Sequence, residues 1–241
     1  MLPARETDVD RFSRPHSATV GAMARASGQL SDALNEYVTA HSAHPDEVLR
    51  DLAAETARLF PEDADMQIGP GQGTFMTMLA RLIGARSAIE VGTFTGYSSI
   101  CIARGLAAGG RLRCFDVSAE FTAVARRYWQ RAGLADQIEL RLGPAADNLA
   151  DLDPGTRFDY AFVDADKTGY PRYWDLIVPL VRPGGLILVD NTLSHGRVVD
   201  DAEQGESVRA IREFNARALA DHRTEVVLLP IGDGLTMARR L

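Results

Sequence analysis

Asp164, Lys167, Asp190 and Asn191 place oxygen and nitrogen donors at the ends of two short apolar runs. Tyr160-Ala161-Phe162-Val163 leads into Asp164-Ala165-Asp166-Lys167, and Leu186-Ile187-Leu188-Val189 leads into Asp190-Asn191. Carboxylates brought together there would repel one another, and a bound cation relieves the repulsion. Asp164, Asp190 and Asn191 offer hard oxygens with no histidine or cysteine among them, a set that suits Mg2+, Mn2+ or Ca2+ over zinc. The competing reading makes them caps and turn carboxylates without metal. Lys167 is the one lysine among 26 basic residues. A lysine beside a divalent cation can give up its proton and act as a base, which an arginine cannot; a solvated surface lysine is the alternative.

An earlier run ends in Glu90-Val91-Gly92-Thr93-Phe94-Thr95-Gly96-Tyr97-Ser98, a glycine-bearing turn that opens a helix. Glycine allows a tight turn and close approach of a ligand, and the start of a helix supplies free N–H groups. The spacing departs from the dinucleotide fingerprint, because Thr93 and Phe94 stand where a pyrophosphate needs bare backbone. A cofactor without phosphates fits better. Asp116 ends the next strand-like run and can accept ribose hydroxyls; a helix cap is its alternative, since Ser118 and Glu120 follow. His195, on the loop beyond Asn191, either touches substrate or is simply exposed. His16, His41, His44 and His222 read as surface residues.

Positioning these groups takes an alternation of strands and helices. Strands are expected at Ala88–Val91, Arg111–Asp116, Ile138–Leu142, Tyr160–Val163, Leu186–Val189 and Glu225–Leu229, with Leu235–Arg239 as a closing antiparallel strand. Between them the periodicity predicts helices at Tyr97–Leu106, Ala119–Ala132, Ala145–Leu149, Tyr173–Leu180 and Ser207–Ala220, with Thr74–Leu82 ahead of the first strand. The fold class is therefore α/β: a doubly wound, mostly parallel, seven-stranded sheet with helices on both faces. Ligands bind such sheets at the carboxyl ends of the strands, where strand order reverses. Residues 1–65 read as an N-terminal helical extension, with helices in Val20–Ala40 and Pro45–Phe60 outside the main core. Gly69–Gly73 reads as a turn-rich break, and residues 66–241 as the main domain.

The chain has 241 residues, 46% hydrophobic and 24% charged, enough for one sizeable core. No apolar stretch is long enough to span a membrane, and Met1–Asp10 lacks the apolar segment of a secretory signal. The expectation is a soluble, cytoplasmic protein. A net charge of -7 argues against nucleic acid or an anionic lipid surface as partner. Cys101 and Cys114 lack any paired spacing and read as buried apolar residues.

Taken together, EVGTFTGYSS (90–99), RAGL (131–134), FDYAFVDADK (158–167), VDNTL (189–193) and LPIGDG (229–234) resemble the metal-dependent class I O-methyltransferases that use S-adenosylmethionine (SAM), the caffeoyl-CoA and catechol group. The similarity runs from about Met66 to the C-terminus and implies a Rossmann-like methyltransferase sheet. It implies that Glu90, Gly92, Thr93 and Ser98 line the methionine and ribose side of SAM. Asp116 would hold the ribose hydroxyls, Ala145 would lie by the adenine, and Met66 and Ile68 near the methionine part. Asp164, Asp190 and Asn191 match the ligands of a Mg2+ or similar ion, Asp166 a further cofactor contact, and Lys167 the base. His195 stands where the plant enzymes carry a substrate-facing asparagine. The implied reaction moves a methyl group from SAM to one hydroxyl of a small aromatic vicinal diol, a free catechol or natural-product intermediate, leaving S-adenosylhomocysteine (SAH). The resemblance also implies a homodimer, with the N-terminal helices as interface. A nicotinamide-dependent oxidoreductase and a non-catalytic cofactor-binding protein are the competing readings.

Overall fold

Valine, isoleucine, leucine and aromatic side chains fill both faces of the central strands, the pattern of a sheet covered by helices on each side. The computed structural model describes residues 31–241. Helices α1 (Asp32–Ala40), α2 (Glu47–Leu59) and α3 (Pro70–Leu82) precede β1 (Ser87–Val91), α4 (Tyr97–Gly105), β2 (Arg111–Asp116), α5 (Ala119–Arg131) and β3 (Ile138–Leu142). There follow α6 (Ala145–Ala150), β4 (Phe158–Val163), α7 (Tyr170–Ile177), β5 (Val181–Val189), α8 (Glu206–Ala220), β6 (Thr224–Leu229) and β7 (Leu235–Arg240).

The seven strands lie in the order β3-β2-β1-β4-β5-β7-β6. Strands β1 to β5 pair in parallel, and β7 runs antiparallel between β5 and β6. The expected seven-stranded, mostly parallel α/β sheet is thus present, with its reversed strand placed inside the sheet rather than at an edge. From β1 the chain steps outward to β2 and β3, then returns to lay β4 on the other edge of β1. That reversal opens a crevice beyond the strand ends. Register decides what meets there: Val91 pairs with Phe115 and with Val163, and Val163 pairs with Val189. The residue after each therefore falls in one row across four neighbouring strands, in the order Asp116, Gly92, Asp164, Asp190.

Alternation along β1 sends Ala88 to the face packed with Leu52, Met76, Tyr97 and Val124, and Ile89 and Val91 to the face packed with Leu149, Trp174 and Phe214. Helix α2 is not outside this core, as its sequence suggested, because Leu49 and Leu52 are buried within it. Two helices also start earlier than expected. Pro70 sits in the first turn of α3 behind an extended Gly69, and Pro171 in the first turn of α7, positions where proline's missing N–H costs nothing. Gly73 is therefore helical, and marks close packing: a Cβ there would come 2.7 Å from Cys101 Sγ. His16, and the part of Val20–Ala40 before residue 31, lie outside the described residues. No helix among the described residues is long and apolar enough to cross a membrane.

Both cysteines are buried and free, as expected, and burial pushes the Cys101 thiol up to about 12. The Tyr160 hydroxyl is fully buried with no hydrogen-bond partner among the described residues. An orphaned buried hydroxyl costs about 1–3 kcal/mol, so Tyr160→Phe is expected to stabilise the protein by about 1 kcal/mol. Urea unfolding checks this: the midpoint should rise with an unchanged slope, and a fall would mean that the hydroxyl has a partner.

Candidate active site

A cavity of about 720 Å³ opens beyond the row of strand ends, within the range of small-molecule sites. Its lining contains Gly92, Thr93, Ser98 and Asp116 on the β1–β2 side, and Asp164, Asp166 and Lys167 after β4. Asn191 and His195 follow β5, and Met66, Ile68 and Ala145 also line it. Glu90 and Asp190 do not line it. Each lies just behind the wall, 0% and 3% exposed.

The turn after β1 is braced by Asp116. Its Oδ2 accepts the amides of Thr93 and Phe94, both at 2.8 Å, and its Oδ1 accepts that of Ser118 at 2.7 Å. The cap of α5 is instead Ser118, whose hydroxyl accepts the Phe121 amide. Asp116 thus holds the cavity wall in shape, and its Oδ1, with one amide accepted, retains acceptor capacity. Gly92 has φ +89, and a Cβ there would fall 1.7 Å from the Asp164 carbonyl oxygen. Only glycine lets β1 leave the sheet this close to β4.

Glu90 pairs in register with Cys114 and Phe162, so it points beneath the turn toward α4. Cys114 Sγ donates to its Oε2 at 3.2 Å, and Oε1 has no hydrogen-bond partner among the described residues. Burial, reinforced by the charges of Asp116 and Asp164, pushes the Glu90 carboxyl up to about 8, so it is largely protonated at neutral pH.

Beyond β4 and β5, Lys167 draws the polar groups together. Its ammonium Nζ donates to Asp164 Oδ1 at 2.8 Å, Asn191 Oδ1 at 2.6 Å and the Tyr170 hydroxyl at 2.7 Å. Tyr170 in turn donates to the Asp190 carbonyl at 3.1 Å. Burial and the neighbouring Asp164 charge raise the Asp190 carboxyl well above the carboxylate range. Gln72 Nε2 donates to Asp190 Oδ2 at 2.7 Å, and the Asn191 amide to Oδ1 at 2.8 Å. Asp166 is exposed and tied to the Tyr173 hydroxyl at 2.5 Å.

Three participants escaped sequence reasoning. Gln72 fell in a stretch read as a turn, Tyr170 just ahead of a helix placed too late, and Asp233 in a hairpin remote in sequence. Pro70 and Pro171 were the available signals for the first two. Asp233 Oδ1 accepts the His195 amide at 2.6 Å and so fixes the loop after Asn191. His195 itself lines the cavity with its side chain 76% exposed, so its exposure does not remove it from the cavity. His41, His44 and His222 are exposed, as expected. Among the described residues no group of three His, Cys, Asp or Glu could hold a metal, so a cation at this place needs the asparagine oxygen as well.

The O-methyltransferase family matches residues 39–241. The chain is 36% identical over 220 residues to probable caffeoyl-CoA O-methyltransferase 2 of Dictyostelium discoideum, covering 88% of this chain and 94% of that one. It is 39% identical over 222 residues to the caffeoyl-CoA O-methyltransferase of Eucalyptus gunnii, covering 88% of each. Among solved structures, an O-methyltransferase from Bacillus cereus in complex with SAH superposes with a TM-score of 0.80 at 33% identity, over 87% of this chain and 97% of that one. TomG from Streptomyces achromogenes, involved in tomaymycin synthesis and solved with SAM, gives 0.78 at 33% identity, over 86% and 96%. With its strand-end row and these matches along most of its length, the chain belongs to the O-methyltransferase family, the SAM-dependent class I enzymes of caffeoyl-CoA type.

Proposed function

We propose that this protein transfers the methyl group of SAM to one hydroxyl of a small aromatic vicinal diol, assisted by a divalent cation, Mg2+ before Mn2+ or Ca2+. One observation carries the reading: Asp164, Asn191 and Lys167 converge on a cavity that the Gly92 turn also lines. The donor set fits a hard cation. Asp164 and Asn191 already present their oxygens to a positive charge, the Lys167 ammonium, and the buried Asp190 carboxyl sits beside them awaiting a compensating charge. Asp164, Asp190 and Asn191 would hold the ion, which would favour ionisation of a phenol whose ordinary pKa is about 10 and so suit a pair of adjacent hydroxyls.

The remaining work belongs to the chain. Lys167 would keep the Tyr170 hydroxyl as its partner and, as the neutral amine, would take the acceptor's proton at Nζ, or as the ammonium would orient the acceptor oxygen. Gly92, Thr93, Ser98 and the underlying Glu90 would shape the methionine and ribose side, with Met66 and Ile68 near the methionine part. Asp116 would receive a ribose hydroxyl on Oδ1, Ala145 would lie by the adenine, and Asp166 would add a further contact. A cavity rich in carboxylates suits a sulfonium cofactor. His195 would contact the acceptor. The exposed Leu34, Tyr37 and Val38 on α1 support a homodimer through the N-terminal helices, which would also help close the acceptor pocket.

The test is methyl transfer from SAM to catechols, caffeic acid, caffeoyl-CoA and monophenols, each with Mg2+ and with EDTA. Vicinal diols should be methylated, monophenols should not, and EDTA should abolish turnover. Turnover unaffected by EDTA would sink the cation assignment. A melting temperature raised by NAD but not by SAH would favour the oxidoreductase reading instead.

A further inference from the structure

Five carboxylates line the cavity, Asp65, Asp116, Asp164, Asp166 and Asp233, against two basic side chains, Lys167 and Arg197. Lys167 is engaged by Asp164, Asn191 and Tyr170. Arg197 makes no ion pair among the described residues. Its Nε donates to the Ser194 carbonyl at 3.0 Å and its Nη2 to the Ser194 hydroxyl at 3.3 Å. Those two bonds use one edge of the guanidinium and fix its plane. The end edge, formed by Nη1 and the second N–H of Nη2, is left to grip the two oxygens of a planar anion.

The loop that aims Arg197 is held in a costly conformation. Ser194, His195 and Gly196 are consecutive residues at positive φ, of +50, +54 and +78, and Asn191 is at +57. Non-glycine residues keep such angles only where the surroundings enforce them, and enforced strain gathers around binding sites. Here the enforcement comes from the β6–β7 turn: Asp233 takes the Leu193 amide on its carbonyl at 2.9 Å and the His195 amide on its carboxylate. One short segment thus carries Asn191 at its start and Arg197 six residues on, both facing one cavity.

The geometry points to Arg197 as a specificity residue that selects acceptors bearing a carboxylate. This inference rests on the methyl-transfer reading and deepens it: the acceptor is a dihydroxylated aromatic acid rather than a neutral catechol. Lys167 is already engaged by Asp164 and Asn191, so Arg197 is the basic group left to pair with an anion, and the carboxylate would also orient the ring. A singly charged planar carboxylate suits the fork among so many acids better than a doubly charged phosphate.

The experiment is calorimetric titration of 3,4-dihydroxybenzoic acid and its methyl ester into the full chain with SAH and Mg2+, for wild type, Arg197→Ala and Arg197→Lys. Methyl transfer to both acceptors is measured in parallel. Wild type should bind the acid about tenfold more tightly than the ester, in line with a charge-assisted hydrogen-bonded pair. That preference should fall to within about twofold in Arg197→Ala and be partly kept in Arg197→Lys, which retains the charge but not the Ser194 fork. Equal binding by wild type, binding of neither compound, or a preference surviving in Arg197→Ala overturns the inference, as does a lysine variant as indifferent as the alanine one. An Arg197-dependent preference for the acid without turnover of either compound would leave the anion subsite standing and fault the methyl-transfer reading alone.

Discussion

Lys167→Ala is expected to slow methyl transfer by about 10²- to 10⁴-fold, the contribution of a well-placed proton-transfer group. The side chain is 27% exposed, and its three acceptors, Asp164, Asn191 and Tyr170, define where Nζ stands to within a hydrogen bond. On the proposed base role, a methyl side chain would leave the acceptor's proton without a destination. The loss should fall on kcat, because the group acts in the transition state rather than in cofactor binding. Lys167→Arg separates the roles: arginine keeps the charge but cannot be deprotonated, so it should be as slow as alanine. Single-turnover methyl transfer decides between them. An arginine variant at wild-type speed would show that position 167 supplies a fixed charge, and the base role would fall.

Gly92→Ala is expected to remove about 3–6 kcal/mol of stability, the sum of positive-φ strain and a backbone clash. That is much of the 5–15 kcal/mol that holds an ordinary domain together. The clash is the larger part. The new methyl would meet the Asp164 carbonyl at 1.7 Å, and this carbonyl belongs to the strand end that also carries a candidate cation ligand, so relief means displacing the site. Gly84 provides the comparison, with φ +60 and nothing within 4 Å of an added Cβ. Gly84→Ala carries the strain alone and should cost about 1–2 kcal/mol. Urea unfolding of both proteins measures the difference. If the two were equally stable, β4 would have to yield easily beneath the turn, and the close approach of β1 and β4 would lose its importance.

How legible was this site? Strands β2 and β3 begin and end where alternation and flanking charges place them, and the donors of β4 and β5 were visible as acids at the ends of apolar runs. Asp116, Asp164 and Asp190 could each be read as a strand-end residue. What the chain could not announce is that they stand in one row, because adjacency follows from strand order and register, which no local pattern encodes. Glu90 shows a different limit. It precedes the last residue of β1, and period-two alternation turns it beneath the helices, so its place behind the wall was deducible from the strand alone. Gln72 and Tyr170 were lost to late helix starts: Pro70 was given to a turn and Pro171 was left ahead of its helix, although proline also opens helices. The close packing of Gly73 on Cys101 is a contact between elements that composition near position 73 does not reveal.

The arginine-rich surface gives the single lysine a further consequence. Reagents that modify ε-amines find one such group in the whole chain, and it lies inside the cavity with its three hydrogens committed to Asp164, Asn191 and Tyr170. Acylating or reductively alkylating the side-chain amine is therefore equivalent to titrating the site itself, and a ligand that covers Nζ protects the protein from labelling. By the same logic, attachment to a support or a fluorophore through the lysine side chain would consume the candidate site.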